Sequence, residues 1–334
     1  MKVLISKSKN FDKILDSLLF KRRKKIISDK VSVTKITNDV KNNGDKALIK
    51  YEKKFNKNNR IIPSPKQINR LIKSLDPEVK KAIDIAYNRI YKFHSLQKFK
   101  NISYTDKFKN KLQYKYLPIE SVAIYVPGST ASYPSSVLMN AIPAMVAGVK
   151  RLVMINPGHK GSQSPAVLYA AKKCRIKEIY SIGGPSAIAA VSYGTKKIKK
   201  VDKIVGPGNA FVALAKKEVF GEVGIDMIAG PSEVTIVADK YSQPDWIASD
   251  LIAQAEHDIF AQSILITDSK DLIKSVNASL KVQLTVLPKK NIAYKSISNY
   301  GLAIYTKTQN KIPDVINTIA PEHLEIDTKK YNKI

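Results

Sequence analysis

Apolar positions in the first 118 residues recur at helical spacing: Val33, Ile36 and Val40, then Ala47, Leu48, Tyr51 and Phe55. A second series, Ile68, Leu71, Ile72 and Leu75, then Val79, Ile83, Ala86 and Ile90, continues the pattern across Pro77. This predicts a Lys-rich helical scaffold over residues 1–118. Near residue 119 the period changes. Short apolar runs at VAIYV (122–126), RLVMI (151–155), EIYSI (178–182) and DKIV (202–205) are each followed by a stretch with helical spacing. After Pro231 the alternation resumes with VTIVA (234–238), a helix from about Pro244, SILIT (263–267), a helix from about Lys270, and LAIYT (302–306). Strands alternating with helices require crossover connections and build parallel sheets, so an α/β protein with two sheet modules is expected.

The loops after these strands carry Gly and Pro: VPGST (126–130), IGGPS (182–186), VGPGNAF (205–211) and AGPSEV (229–234). In open parallel sheets ligands gather outside the carboxyl ends of the strands, where glycine admits close backbone approach. Each Gly-Pro pair alone reads as a tight turn. Four of them in one sheet protein point to a binding face. No GxGxxG occurs, so a bound dinucleotide would be held without that fingerprint.

The composition, 44% apolar and 25% charged over 334 residues, is that of a soluble globular chain with room for two cores. The N-terminal segment lacks the apolar core of a secretory signal, and the run VLMNAIPAMVAGV is broken by Asn140 and Pro143 and is too short to span a bilayer. With Cys174 as its single cysteine the chain forms no internal disulfide, in keeping with a cytoplasmic protein that has no membrane partner. The net charge of +29 invites a nucleic-acid reading. Nearly all the excess is lysine, spread from Lys2 to Lys333 without interleaved aromatic platforms, while the arginines are few (Arg22, Arg23, Arg60, Arg70, Arg89, Arg151 and Arg175). A solvated basic surface with no nucleic acid is the expected reading.

Four histidines bound the candidate chemistry. His94, in KFHSLQKF, and His159, in PGHKG, read as surface or structural residues. In LIAQAEHDIF (251–260), Gln254 and His257 stand three residues apart, on one face if the helix holds. Glutamine is not an ordinary zinc ligand, so on spacing alone a core histidine with an amide partner is favoured over a metal site. In APEHLEI, Glu322 and His323 follow Pro321, which suits the first position of a helix. A helix start would stabilise the carboxylate and favour a neutral imidazole, as a general base needs; an acidic residue beside a surface histidine is the open alternative.

The runs IYVPGSTASYPSSVLMNAIPAMVAGVKRLVMINP, VDKIVGPGNAFVALAKKEVFGEVGIDMIAGPSEVTIVAD, DWIASDLIAQAEHD and APEHLEI, in this order and at these separations, closely resemble the histidinol dehydrogenase family, and NNGDKALIKYEKKF fits the same pattern. The resemblance implies an enzyme that oxidises L-histidinol through the aldehyde to L-histidine, reduces two NAD and requires Zn2+. It also implies a homodimer of two Rossmann-like, aldehyde-dehydrogenase-like parallel-sheet domains, one inserted in the other, after an N-terminal helical segment. The boundaries expected from it are 1–30 for that segment, 31–118 plus 235–334 for the domain carrying the zinc and catalytic motifs, and 119–234 for the inserted NAD-binding domain. By motif, Gln254 and His257 become zinc ligands, Glu322 and His323 the catalytic pair, and Ser232 a substrate contact. Gln254, His257, Glu322 and His323 would also line the substrate, and Tyr125 and Asn209 would lie against NAD.

The chain departs from the family in three places. GGPSAIAA stands for the family's GGAQAIAA, putting Ser186 in place of a glutamine that contacts NAD, and IYVPGST puts Ser129 where a second glycine is usual. The sequence stops at Ile334, inside a segment expected to continue as helix and short of the family's remaining zinc and substrate ligands. The expectation is that these residues alone hold zinc poorly. Two other readings stay open at this point: an inactive relative that keeps a nucleotide-binding fold, and a basic protein that binds nucleic acid.

Overall fold

The computed structural model describes residues 1–6, 10–27, 30–128, 132–158, 162–228, 232–287, 290–329 and 331–334. Ser129 and His159, singled out above, lie outside the described residues. The chain opens with strand β1 (Lys2–Ile5) and helices α1 (Phe11–Ile27), α2 (Lys30–Tyr51), α3 (Pro65–Lys73) and α4 (Pro77–Ser95). A hairpin of β2 (Ile102–Thr105) and β3 (Lys111–Tyr114) follows. The alternating part then runs β4 (Ser121–Tyr125), α5 (Pro134–Ala147), β5 (Arg151–Ile155), α6 (Pro165–Lys173), β6 (Glu178–Tyr180) and α7 (Gly184–Tyr193). It continues through β7 (Lys203–Val205), α8 (Ala210–Val219) and β8 (Gly224–Ile225). The last part comprises β9 (Glu233–Ala238), α9 (Pro244–Ala255), β10 (Gln262–Thr267), α10 (Lys270–Val286), α11 (Lys290–Tyr300), β11 (Leu302–Tyr305), α12 (Ile312–Ile319) and β12 (His323–Asp327).

Two compact units result: Asp29–Ala229, continuous in sequence, and Met1–Ser28 with Gly230–Ile334, split by it. The continuous unit holds a parallel sheet ordered β6-β5-β4-β7-β8. Successive strand residues face opposite sides. Ala123 and Tyr125 of β4 join a core with Val33, Val40 and Leu48 of α2 and Ile188 of α7, whereas Val122 and Ile124 join one with Ile83 of α4, Leu138 of α5 and Leu168 of α6. Each fully buried Ile or Leu in such a core stabilises by roughly 1.5–3 kcal/mol. A parallel sheet needs both faces covered, and here α2 and α4 do much of the covering. That is why residues 31–118 group with the 119–229 region and not with 235–334, where the sequence reading placed them.

The split unit repeats the plan. Its parallel sheet is ordered β1-β11-β10-β9-β12. Leu265 of β10 packs with Ile247 and Leu251 of α9 and Val276 of α10, while Ile264 and Ile266 pack with Leu15 of α1 and Val315 of α12. With β1 set aside and the strands counted from β4 in one sheet and from β9 in the other, both run third, second, first, fourth, the order with which the Rossmann dinucleotide-binding sheet begins.

Five local expectations are corrected. The first 30 residues are not helical throughout, because Lys2–Ile5 fills the free edge beside β11. The apolar series does not continue across Pro77: Asp76 caps α4 through Glu78 N–H at 2.7 Å, and Pro77 takes the first helical position. Residues 102–114 form an exposed antiparallel hairpin instead of helix. His323–Asp327 is not a helix start but an edge strand paired with Val234–Ala238, because Ala320, at φ 49°, ends α12 in the left-handed region and Pro321 follows that cap. Residues 331–333, expected as α-helix, form a 3-10 turn.

Candidate active site

In the split unit the predicted residues gather at the amino end of the sheet. His323 opens β12 opposite Val234 near the start of β9, and Glu322 immediately precedes it. The backbone of Glu233 holds both: its N–H donates to Glu322 Oε2 at 3.4 Å, and its carbonyl lies 3.0 Å from His323 Nδ1. A carbonyl only accepts, so Nδ1 carries the proton, and a neutral ring then keeps its lone pair on Nε2. His323 Nδ1 is 3.9 Å from Glu322 Oε2, and the side chains are 60% and 46% exposed, open to an incoming substrate. Ser232 precedes β9, and its carbonyl accepts Gln262 N–H at 3.0 Å, which ties the starts of β9 and β10 together.

Gln254 and His257 lie at the same end, where α9 returns to β10. The helix stops at Ala255, so His257 stands in the following turn, exposed, and not on the helix face its spacing predicted. Asp258 accounts for the early stop: its carboxylate accepts Phe260 N–H at 2.8 Å and its carbonyl accepts Ala261 N–H at 3.0 Å, so a turn replaces the next helical bonds. Zinc sites take four donors as a rule. Gln254 and His257 offer two, and among the described residues no three His, Cys, Asp or Glu side chains converge for a metal. The described residues therefore do not make a zinc site by themselves.

In the continuous unit the predicted residues gather at the carboxyl end of the sheet, at the point between β4 and β7 where the strand order reverses. Tyr125 ends β4; its ring is buried and its hydroxyl accepts Gly184 N–H at 3.0 Å. Burial pushes the Tyr125 hydroxyl up to about 12, so it stays protonated. Gly206, at φ 109°, passes so close that an added Cβ would lie 2.3 Å from the Tyr125 carbonyl oxygen. Lys216 locks the same loop, donating to the Gly206 carbonyl at 3.0 Å and pairing with Asp226, which in turn accepts Gly206 N–H at 2.8 Å. Asn209 caps α8, accepting Val212 N–H at 3.1 Å, and is exposed.

These features fit a dinucleotide. An added Cβ at Gly184 would meet nothing within 4 Å, so the start of α7 is open, and Asn156 Oδ1, at the end of β5, is buried without a partner. Ser186 fits less directly: it is buried and its hydroxyl donates to the Gly183 carbonyl at 3.1 Å, with Glu52 Oε1 3.4 Å away. Glu52 and Lys216 were missed in the sequence. Glu52 meets Gly183 and Ser186 more than 130 residues on, and Lys216 meets Gly206 and Asp226 ten residues to either side across a loop, so neither leaves a helical or strand period in the sequence.

The sequence profile of the histidinol dehydrogenase family matches residues 20–334. The chain belongs to the histidinol dehydrogenase family. It is 72% identical over 335 residues to histidinol dehydrogenase of Pelagibacter ubique, covering all of this chain and 78% of that protein. Against the Agrobacterium fabrum histidinol dehydrogenase it is 48% identical, over 92% of this chain and 72% of the relative. The crystal structure of histidinol dehydrogenase from Elizabethkingia anophelis superposes with a TM-score of 0.87 at 35% identity, over 99% of this chain and 77% of that one. Likeness of this extent over the whole chain favours the oxidoreductase reading over an inactive relative or a nucleic-acid binder. Among the described residues no helix is long and apolar enough to cross a membrane.

Proposed function

We propose that this chain catalyses the last step of histidine biosynthesis as an NAD-dependent histidinol dehydrogenase, acting in the cytoplasm as a homodimer, with Zn2+ held in part by Gln254 and His257. NAD, when bound, accepts hydride from the substrate carbon in each of two oxidations. Tyr125, Asn209 and the Gly183–Gly184 turn receive it. The observation that carries the reading is the clamp of Glu233 on the catalytic pair. With Nδ1–H spent on the Glu233 carbonyl, His323 Nε2 takes the hydroxyl proton of L-histidinol as the first hydride leaves. Glu322 then removes a proton from the water that adds to the aldehyde carbon, and the hydrate gives the second hydride to NAD and its remaining hydroxyl proton to His323, which has by then released the first proton to solvent, leaving the carboxylate. Ser232 and His257 lie at the same end of the sheet to orient the substrate's polar groups.

The test is L-histidinol-dependent formation of NADH by the zinc-supplemented protein, compared with His323→Asn. The reading expects two NADH per L-histidine formed and a large loss in the variant. Folded protein that binds neither L-histidinol nor NAD contradicts it.

A further inference from the structure

Glu52 is fully buried, yet none of the roles above uses it. It opens a π-helical turn, Glu52–Asn56, that prolongs α2, a rare geometry found often at functional sites. Its carboxyl enters the turn between β6 and α7. One oxygen accepts Gly183 N–H at 2.9 Å and lies 3.4 Å from Ser186 Oγ; the other accepts Asn56 Nδ2 at 2.6 Å. Among the described residues no cation pairs with it. Gly183 is wedged in place, since an added Cβ would lie 2.6 Å from Pro157 Cβ and 3.4 Å from Asn56 Nδ2. The next amide, Gly184 N–H, holds the Tyr125 hydroxyl at 3.0 Å. A single carboxyl thus fixes the turn whose following N–H sets Tyr125.

Ser186, in the first turn of α7, is buried and its hydroxyl donates to the Gly183 carbonyl, with the Glu52 carboxyl 3.4 Å away. Carbonyl and N–H of Gly183 are thus both taken by buried side chains. We propose that Glu52 is a positioning residue for the cofactor: it holds the Gly183–Gly184 turn, and through the Gly184 N–H the Tyr125 hydroxyl, in the arrangement that receives NAD. The inference rests on the reading of this sheet end as the NAD site.

The test compares the full chain with Glu52→Met, which fills the volume without an acceptor, and Glu52→Gln, which restores one. Three quantities are read: NAD affinity by calorimetry, L-histidinol affinity, and amide hydrogen exchange at Gly183 without NAD. Losing a buried acceptor for Gly183 N–H weakens NAD binding about 10-fold and speeds exchange at Gly183. Glu52→Gln regains most of both, and L-histidinol affinity stays constant throughout. NAD affinity unchanged in Glu52→Met overturns the role of Glu52 and leaves the cofactor reading standing. Equal losses of NAD and L-histidinol affinity in both variants overturn it as well, since they mark general destabilisation. Wild-type protein that fails to bind NAD while Gly183 remains protected sinks the cofactor reading itself, and this role with it.

Discussion

The two sheets run their strands in one order from β4 and from β9, but the candidate residues gather at opposite ends. In the continuous unit Tyr125, the Gly183–Gly184 turn and the Gly206–Asn209 loop sit at the carboxyl ends of the strands, as open α/β sheets ordinarily bind ligands. In the split unit Ser232, Glu322 and His323 sit at the amino ends, against the expectation drawn from the loops. The difference teaches that the same topology can present either end, provided the chosen end has polar groups of its own. At the carboxyl end these are turns and helix starts. At the amino end the first residue of β9 serves, because Glu233 N–H and C=O face β12 and are taken by side chains.

Removing the imidazole breaks the amino-end site most severely. His323→Asn should lower histidinol oxidation by about 10²–10⁴-fold, the worth of a general base, while NAD affinity stays as in wild type. Equal loss of NAD binding would deny that the two ends act separately. Glu322→Gln should instead slow the second oxidation, so that aldehyde, trapped by semicarbazide, accumulates in the variant only.

The carboxyl-end site should show itself in pH dependence. Burial raises the Glu52 carboxyl from 4.5 to about 7, against the hydrogen bonds it accepts from Gly183, Asn56 and Ser186. The folded state then keeps a proton that the unfolded chain releases. Stability from this group is full below pH 4.5 and falls as pH rises to about 7, by ~3 kcal/mol, with no further loss above. Subtracting the denaturation curves of Glu52→Gln from those of wild type across this range should isolate that slope. A flat difference would contradict the burial argument. At Gly206, alanine would be strained by φ 109° and by the Tyr125 carbonyl, so Gly206→Ala should cost about 1–3 kcal/mol and weaken NAD binding without altering L-histidinol affinity. The smallest effect distinguishes cap from contact: Asn209→Ala should lose about 1 kcal/mol of stability, which Asn209→Ser largely restores. If Asn209 also touches NAD, Ser restores stability but not affinity.

The sheets were legible because buried parallel strands are continuous apolar runs, and RLVMI, SILIT and LAIYT appear nearly at the predicted positions. The failures have physical causes. Pro321 suits a helix start and equally a position after a helix cap, and only the left-handed Ala320 decides between them. Lys2–Ile5 is too short to show a period. Asp258 ended α9 by a side-chain turn that apolar spacing does not record. The residue types of the proposed catalytic pair could be read by resemblance, but their clamp could not, since backbone groups of Glu233 form it. Glu52 was invisible because its partner Ser186 lies 134 residues away.

The central claim, that His323 is a base poised by the Glu233 carbonyl, is tested most directly by the ¹⁵N spectrum of the histidine rings, with and without L-histidinol. The account predicts a His323 ring with its proton on Nδ1 and a free Nε2 that shifts when L-histidinol is added. A proton on Nε2, or a His323 signal that ignores L-histidinol, would contradict it.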